Sequence, residues 1–146
     1  MKISIASDHG GFELKQEIIA FLKNKKYEVE DFGTYSKDSC DYPDFGSKAA
    51  KAVVEGAADF GIVICTTGIG MSITANKIKG IRAALCTNTH LAEMSRRHNN
   101  ANVLALGQNN QSINSALEIV NVFLNTSFDG GRHQRRIDKI SKLEEN

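Results

Sequence analysis

The sequence has few of the features that mark secreted, membrane or multidomain proteins. It has one proline in 146 residues, no tryptophan, and three cysteines without a C-x-x-C pair. No apolar run approaches the roughly 20 residues that cross a bilayer, and no hydrophobic leader is recognised. We therefore expect a cytoplasmic protein with free thiols. Because no low-complexity linker interrupts the chain, residues 1–146 are predicted to form a single domain.

The sequence also lacks an excess of either charge. The formal net charge is +1, from 18 basic and 17 acidic residues. No overall field therefore attracts nucleic acid or a membrane surface, and an anionic ligand must be bound by a local arrangement. Hydrophobic residues at 41% and charged residues at 24% are typical of a globular domain.

Short apolar runs alternate with amphipathic stretches along the whole chain. Runs that are apolar on both faces and alternate with helices indicate a parallel sheet covered on both sides. The predicted fold is therefore an α/β, three-layer αβα sandwich with a five-stranded, Rossmann-like sheet, in which ligands bind beyond the carboxyl ends of the strands. Strands are predicted at 1–7, 27–31, 60–65, 80–86 and 101–106, and helices at 12–24, 45–55, 69–78, 91–98, 112–124 and 132–144.

The most informative motif is FGIVICTTGIGMS at 60–72. A buried strand ends at Cys65, and a loop of small residues at 66–70 leads into a helix. Glycines allow N–H groups to point inward, and the helix N-terminus adds positive potential, so the loop is suited to bind an anion. A cysteine beside it is a candidate acid/base, since the thiolate is the reactive form. The alternative is a buried cysteine that only packs.

Spacing argues against three better-known anion sites at this loop. Gly68 and Gly70 are followed by Ile73, where a dinucleotide fingerprint needs glycine or alanine, and no Walker G-K-[ST] is present. Cysteine phosphatases, by family resemblance, carry an arginine six residues after the thiol, and position 71 is Met. Such a loop suits a developing enediolate better than a triphosphate.

Two further motifs lie at strand ends. Asp8 and His9, followed by two glycines, come directly after the first strand and would share one crevice, although Asp8 could simply cap the helix that begins near Phe12. His98 and Asn99 join a helix to the fifth strand. His98 could act as a proton shuttle, or the segment could be only capping and turn chemistry.

A basic motif, GGRHQRR, opens the last predicted helix. Arg132 and Arg136 are four residues apart and share a helix face, so they could hold one phosphate, although such runs are more often solvated. Acidic residues follow at once and no aromatics interleave, which argues against nucleic acid. The histidines and cysteines show no metal-ligand spacing, so no metal is predicted.

Together, five stretches of sequence resemble the B-type ribose-5-phosphate isomerase family, which also contains galactose-6-phosphate isomerase subunits and allose-6-phosphate isomerases. In chain order they are SDHGGFELK, DYPDF, CTTGIGMSITANKIKGIRAAL, RRHNNANVLALG and FDGGRHQRRI. They span nearly the whole chain in the family's order. Some members lack the cysteine and place a Glu at the position of Met71, so the resemblance is to the cysteine branch.

The resemblance implies a role for each site residue. Cys65 would move the proton between C2 and C1, Thr67 would contact the hydroxyl oxygens, and Asp8 and His98 would assist ring opening. The enediolate would be stabilised by the amides of Gly68, Ile69, Gly70, Met71 and Ser72; Tyr42 and Asn99 would line the sugar site, and His9, Arg132 and Arg136 would hold the phosphate.

The same resemblance implies homodimers, sometimes paired into tetramers, with each site shared across the interface. The expected reaction interconverts ribose 5-phosphate and ribulose 5-phosphate without cofactor or metal. Allose or galactose 6-phosphate is an alternative substrate, and a non-catalytic phosphosugar-binding protein is an alternative class, against which the thiol base argues. One departure is clear: relatives often have an arginine shortly after ALG, where this chain has Gln108-Asn109-Asn110.

Overall fold

The computed structural model describes residues 1–145 and contains the predicted alternation of strands and helices. None of the helices in this range is both long enough and apolar enough to cross a membrane. The strands are β1 Lys2–Ser7, β2 Glu28–Asp31, β3 Phe60–Cys65, β4 Ala83–Leu85 and β5 Val103–Gly107. The α-helices are α1 Phe12–Asn24, α2 Tyr42–Val54, α3 Ile69–Asn76, α4 Thr89–Arg97, α5 Ile113–Asn125 and α6 Arg132–Leu143, and a short 3-10 helix spans His9–Gly11.

All strand pairs are parallel, in the order β2-β1-β3-β5-β4. The chain places β2 on one side of β1. It places β3, β4 and β5 on the other side, where β4 forms the edge and β5 returns to lie between β3 and β4. The direction of winding therefore reverses between β1 and β3. In open α/β sheets the ligand crevice forms at this point, beyond the carboxyl ends of the two strands.

Helices cover both faces of the sheet, which confirms the predicted three layers. One face packs against α1, α4 and α5, through residues that include Ile18, Ala92 and Phe123. The other packs against α2 and α3, through residues that include Ala49 and Ala75. Because both faces are covered, the central strands are apolar at almost every position: β3 and β5 are buried nearly throughout.

The α6 helix lies near the amino edge of β4 and β5. At its end, the Glu144 carboxylate accepts a hydrogen bond from the Gly80 N–H at 3.1 Å. At its start, the His133 ring stacks on His98, which precedes β5, with 4.2 Å between centroids. The basic start of α6 is therefore held at the edge of the sheet opposite to the carboxyl ends of the strands.

Two boundaries differ from the sequence prediction for identifiable reasons. The β4 strand is shorter than 80–86, because the Asn102 side chain bonds residues 80 and 82 in place of a neighbouring strand. Its Oδ1 accepts from the Arg82 N–H at 2.8 Å, and its Nδ2 donates to Gly80 O at 2.9 Å. The α2 helix begins at Tyr42 and not at 45. Pro43 fits the first turn, where no intrahelical N–H bond is needed.

The free edge of β4 is covered by a side chain of α3. Asn76 Oδ1 accepts from the Ala83 N–H at 2.8 Å, and Asn76 Nδ2 donates to Ala83 O at 3.0 Å. The amide therefore takes the place of a neighbouring strand. At the opposite edge of the sheet, β2 has the acidic sequence EVED.

A buried lysine joins α1 to the segment that follows β2. Lys15 is 0% exposed, and its Nζ bonds Asp31 Oδ1 at 2.7 Å, Asp31 Oδ2 at 2.9 Å and Thr34 O at 2.5 Å. A buried ammonium is tolerated only when it is fully paired in this way. These bonds hold the start of the loop that leads to α2.

Candidate active site

A cleft of about 440 Å³ opens at the carboxyl ends of β1 and β3. It lies at the winding reversal of the sheet, where the fold predicts a ligand site. A groove of about 480 Å³ at the amino edge, lined by α6 and the start of β4, has no nucleophilic side chain. The chemistry therefore belongs to the smaller cleft, which is lined by Asp8, Tyr42, Cys65, Thr66, Thr67, Ile69, Gly70 and Ile73.

Cys65 is the last residue of β3, and its side chain meets the cleft although the residue is only 6% exposed. The Gly68 N–H donates to Cys65 Sγ at 3.2 Å. A donor aimed at sulfur stabilises the thiolate, which is the form that accepts a proton from carbon. This contact distinguishes Cys65 from a cysteine that only fills space.

Gly68 makes the turn between β3 and α3 possible. Its φ is +79°, a region that side chains rarely adopt. A Cβ there would lie 2.5 Å from the Leu85 side chain and 2.8 Å from the Leu106 carbonyl carbon. Glycine is therefore required both by the backbone conformation and by the packing of the loop on β5.

The loop amides are used unequally. The Ile69 N–H donates to Thr67 Oγ1 at 3.3 Å, and the Ser72 N–H donates to Gly68 O at 2.9 Å as the first bond of α3. The predicted contact from the Ser72 amide is thus already satisfied internally. Within residues 1–145, the N–H groups of Gly70 and Met71 have no hydrogen-bond partner and remain available to an anion.

Met71 and Tyr42 contribute in different ways. The Met71 side chain is fully buried and packs against Gly46, so only its amide can face a ligand. Tyr42 is 39% exposed, and its ring lies over Gly70 so closely that a Cβ there would be 2.5 Å from it. Tyr42 lines the cleft, so its hydroxyl can meet a ligand bound there.

Asp8 does cap a helix, but not α1. Its Oδ1 accepts from the Gly11 N–H at 3.1 Å and so caps the 3-10 helix between β1 and α1. The residue is 6% exposed and lines the cleft beside Cys65. Capping therefore does not exclude a role toward substrate, because it uses one oxygen and also fixes the carboxylate in place.

Packing accounts for the double glycine that follows His9. A Cβ on Gly10 would lie 2.2 Å from Thr66 Oγ1, and one on Gly11 would lie 2.8 Å from Ile64 O. The 3-10 helix is thus pressed against the end of β3. This close approach is what brings the β1 and β3 loops together into one cleft.

His9 is exposed near the same edge of the sheet. The Cys40 N–H donates to His9 Nδ1 at 3.2 Å, so Nδ1 is the acceptor and the proton is assigned to Nε2. An Nε2 donor suits a phosphate oxygen. His9 therefore fits its expected role, although it is not among the residues that line the cleft.

The other predicted residues lie at the amino ends of the strands, opposite to the cleft. His98 is the C-cap of α4 and precedes β5, which begins at Val103. Gly61 pairs with Val103 and Cys65 with Gly107. The sheet is therefore four residues deep here, about 13 Å at the usual strand rise. Within one chain, His98 and Cys65 therefore lie at opposite ends of the strands.

Asn99, Arg132 and Arg136 accompany His98. Asn99 is exposed, and its carbonyl accepts from Arg82 Nε at 3.0 Å. Arg132 and Arg136 are exposed on α6, and the described residues supply no carboxylate that pairs with either guanidinium. These positive groups near His98 are available to an anion, but not to one bound at the Cys65 cleft of the same chain.

One group in this region could in principle hold a metal. The potential ligand atoms of His98, Asp129 and His133 lie within 4.8 Å of one another. Asp129 is already paired with Arg97 Nε at 3.2 Å. Burial lowers the pKa of His133, and the charges of His98 and Arg132 lower it further. So much positive charge favours an anion over a cation.

Sequence reasoning noted the loop after β5 only as a departure from relatives and did not predict that Asn110 Nδ2 donates to Thr67 O at 2.9 Å. It also missed His133, which is 9% exposed and stacks on His98 at an interplanar angle of 11°. The polar run after a buried strand, GQNNQ, was the available signal for the loop. No pattern in the sequence indicated which strand end it would meet.

The chain is similar to known sugar-phosphate isomerases over almost its full length. The family model described as Ribose/Galactose Isomerase matches residues 3–140. Ribose-5-phosphate isomerase B of Escherichia coli (strain K12) is 46% identical over 144 residues, which cover 99% of this chain and 97% of the relative.

Solved structures agree. Ribose-5-phosphate isomerase B of Clostridium thermocellum is 57% identical, with a TM-score of 0.98 over 99% of this chain and 98% of that one. The Mycoplasma genitalium ribose-5-phosphate isomerase B, solved with bound ribulose-5-phosphate, is 45% identical, with a TM-score of 0.95 over 99% of this chain and 97% of that one.

Proposed function

Because the chain belongs to the Ribose/Galactose Isomerase family, we propose that it interconverts ribose 5-phosphate and ribulose 5-phosphate with Cys65 as acid/base. The observation that carries this proposal is the Gly68 N–H directed at Cys65 Sγ, at 3.2 Å, beside a cleft with free backbone donors. The Mycoplasma genitalium relative, which binds ribulose-5-phosphate, supports the choice of substrate.

The reaction proceeds through an enediolate. The Cys65 thiolate takes the proton from C2 of the open-chain aldose, and the electron pair moves into the C1 carbonyl. The N–H groups of Gly70 and Met71 stabilise the oxyanion that forms, for which each well-placed donor contributes roughly 10²–10³-fold. The thiol then returns the proton to C1, and the hydroxyl proton on O2 moves to O1, which leaves a carbonyl at C2.

The polar groups at the end of β1 and the start of α2 hold the sugar. Asp8 and Thr67 face the hydroxyl groups whose protons move, and Tyr42 covers the loop. His9 donates toward the phosphate. Cys40, Cys65 and Cys86 are free thiols, and we propose that the protein works in the reducing cytoplasm.

A D₂O experiment tests the base. Wild type incubated with ribose 5-phosphate in D₂O should produce ribulose 5-phosphate with deuterium on C1 in the fraction of turnovers in which the Cys65 S–H exchanges with solvent before it returns the proton. Cys65→Ala should lose at least about 10²-fold in kcat. Cys86→Ala is the matched control, because Cys86 is buried on the other face of the sheet and burial raises its pKa to about 11. If Cys65→Ala kept more than about a tenth of the activity, the thiol would not be the base.

The same assay separates the alternative substrates. Allose 6-phosphate and galactose 6-phosphate should turn over more slowly than ribose 5-phosphate. A higher kcat/KM on either hexose phosphate would move the assignment to that sugar. Binding of all three sugars without a ketose product would identify a non-catalytic binding protein.

We also propose that the working unit is a homodimer in which each chain completes the site of the other. His98, Arg132 and Arg136 lie about 13 Å or more from Cys65, across the depth of the sheet. Beside the cleft, α3 exposes Ile69 at 55% and Ile73 at 57%. A second copy that covers this apolar face can bring its own His98, Arg132 and Arg136 to the first cleft. Two-fold symmetry makes the arrangement reciprocal.

Subunit complementation tests this arrangement. Cys65→Ala and His98→Asn chains should each be nearly inactive alone. Mixed after joint unfolding and refolding, they should form heterodimers that contain one intact site, and activity should recover to about a quarter of wild type. Two inactive parents that give no activity on mixing, although heterodimers form, would show that each chain builds its own site.

A further inference from the structure

Three consecutive carbonyls of the Cys65 loop are held by three consecutive residues that follow β5. Cys65 O accepts from the Gln108 N–H at 2.9 Å, and Thr66 O from the Asn109 N–H at 3.1 Å. Thr67 O accepts from Asn110 Nδ2 at 2.9 Å. The first two donors are main-chain groups that any residue supplies, whereas the third depends on the Asn110 side chain.

The third bond acts on the peptide unit that joins Thr67 to Gly68. In a trans peptide the C=O and the N–H point in opposite directions. Asn110 holds the carbonyl on one side of this unit, and the N–H on the other side donates to Cys65 Sγ at 3.2 Å. The position of the carbonyl therefore determines whether the sulfur receives a donor.

We propose that Asn110 is a positioning residue that fixes the Thr67–Gly68 peptide so that its N–H stabilises the Cys65 thiolate. This inference rests on the proposed role of Cys65 as the acid/base. It assigns a function to the segment in which this chain departs from the arginine often present in its relatives.

The peptide needs such a restraint because glycine follows it. Gly68 has a φ of +79° and lacks the Cβ that limits rotation of the preceding peptide in other residues. A flipped peptide would turn Thr67 O toward Cys65 Sγ and destabilise the thiolate. Gly107 packs directly against the loop, since a Cβ there would lie 2.4 Å from the Thr67 carbonyl carbon.

The thiolate has few other groups that could set its charge. The titratable side chains that line the cleft with Cys65 are Asp8, from the end of β1, and Tyr42, from the start of α2. Neither supplies positive charge. Within one chain, none of the side chains lining the cleft is cationic. The basic residues that a second copy would bring in the proposed dimer are the same in every Asn110 variant, so the N–H contact is the interaction with Cys65 that Asn110 changes.

Alkylation of Cys65 by iodoacetamide, followed by peptide mass spectrometry, measures the thiolate without relying on isomerase activity. At pH 7, Asn110→Ala should slow Cys65 alkylation about tenfold, the size expected for one hydrogen bond to a charged group. The deficit of the mutant relative to wild type should shrink as pH rises, because less of the rate then depends on stabilising the thiolate. The kcat for ribose 5-phosphate should fall by a similar factor, with KM within about twofold.

Two other variants sharpen the test. Asn110→Asp keeps the size of the side chain but places a carboxylate against Thr67 O, so it should slow alkylation at least as much as alanine. Asn109→Ala is the matched control: it is equally exposed and adjacent, and only its main-chain N–H bonds the loop. Its alkylation should match wild type.

Wild-type alkylation at pH 7 in both Asn110 variants would overturn the proposal. A loss that is equal at every pH would also overturn it, because it would indicate altered access and not thiolate stability. If Cys65→Ala proved active, the proposed function would fail, yet the alkylation profile would still decide whether Asn110 controls the sulfur.

Discussion

At the scale of single residues, neighbouring groups decide what identical side chains do. Cys65 and Cys86 are both buried, but the Gly68 N–H is aimed only at Cys65. Burial raises the pKa of Cys86 to about 11, so this thiol stays protonated at neutral pH. The strand-end position of Cys65 was enough to predict its cleft. The N–H contact was not predictable, because it depends on how one peptide is rotated.

Arg136 allows a sharp test, because Arg135 is its matched control. Both are exposed on α6, and neither is paired with a carboxylate within residues 1–145. Phosphate binding energy holds the sugar in register with Cys65, so its loss lowers kcat as well as raising KM. Arg136→Ala should reduce kcat/KM about 10²-fold, or ~2.7 kcal/mol, while Arg135→Ala should reduce it less than threefold.

Inorganic phosphate provides a second measurement of the same prediction. It should inhibit the wild type competitively and inhibit Arg136→Ala much less. Unchanged kcat/KM together with unchanged inhibition would return Arg136 to the solvated basic face that such runs usually form.

At the scale of elements, burial separates two similar ion pairs on β2. Lys15 pairs with Asp31 at 2.7 Å and is 0% exposed, whereas Lys2 pairs with Glu30 at 3.4 Å and is 40% exposed. Removing one partner of a buried pair leaves the other uncompensated, while an exposed pair contributes little. Lys15→Met should therefore lower the free energy of unfolding by about 3 kcal/mol, and Lys2→Met by less than about 1 kcal/mol.

Urea denaturation of the two variants beside wild type measures both values. Similar small losses would mean that Asp31 finds other partners or water once Lys15 is gone. No pattern of residues indicated this pair, because Lys15 lies in an amphipathic helix among other lysines. Only the packing of α1 beside the loop that follows β2 buries it.

The docking of α6 should depend on pH through His133. Burial lowers the pKa of His133 below its ordinary value of 6.5. The unfolded chain therefore binds this proton more readily, and stability is lost as pH falls from about 7 through the folded-state pKa. His133→Phe keeps a ring against His98 but carries no proton.

Urea denaturation at pH 7.5 and at pH 5 measures the contribution. Wild type should lose more stability between these values than His133→Phe does. An equal loss in both proteins would assign the pH dependence to groups other than His133.

At the scale of the whole molecule, the order of elements was predictable and their arrangement in space was not. Alternating apolar and amphipathic runs predicted five strands, six helices and a covered parallel sheet. The order β2-β1-β3-β5-β4 depends on long-range packing that no local pattern encodes. Because the strands are parallel, the segment before β5 lies at their amino ends and Cys65 at their carboxyl ends, so the predicted site residues divide between the two ends of the strands.

The proposed dimer predicts that a charge on α3 separates the chains. Ile73→Glu should produce a folded monomer with little activity, since the exposed Ile73 would be buried between subunits. Ile113→Glu is the control, because Ile113 is similarly exposed, at 47%, but lies at the start of α5. Sedimentation velocity measures loss of the dimer, and circular dichroism of the same sample measures loss of the fold.

The Asn76 amide that covers β4 affects how the sheet can associate with other chains at high protein concentration. An open parallel sheet ends in two strands whose unpaired N–H and C=O groups can recruit another chain and begin aggregation. At one edge Asn76 satisfies the outward N–H and C=O of Ala83. At the other edge, β2 is rich in charged side chains, two of them in ion pairs with lysines, and charged edge strands disfavour pairing with a further strand. Both features disfavour the addition of a sixth strand from another chain.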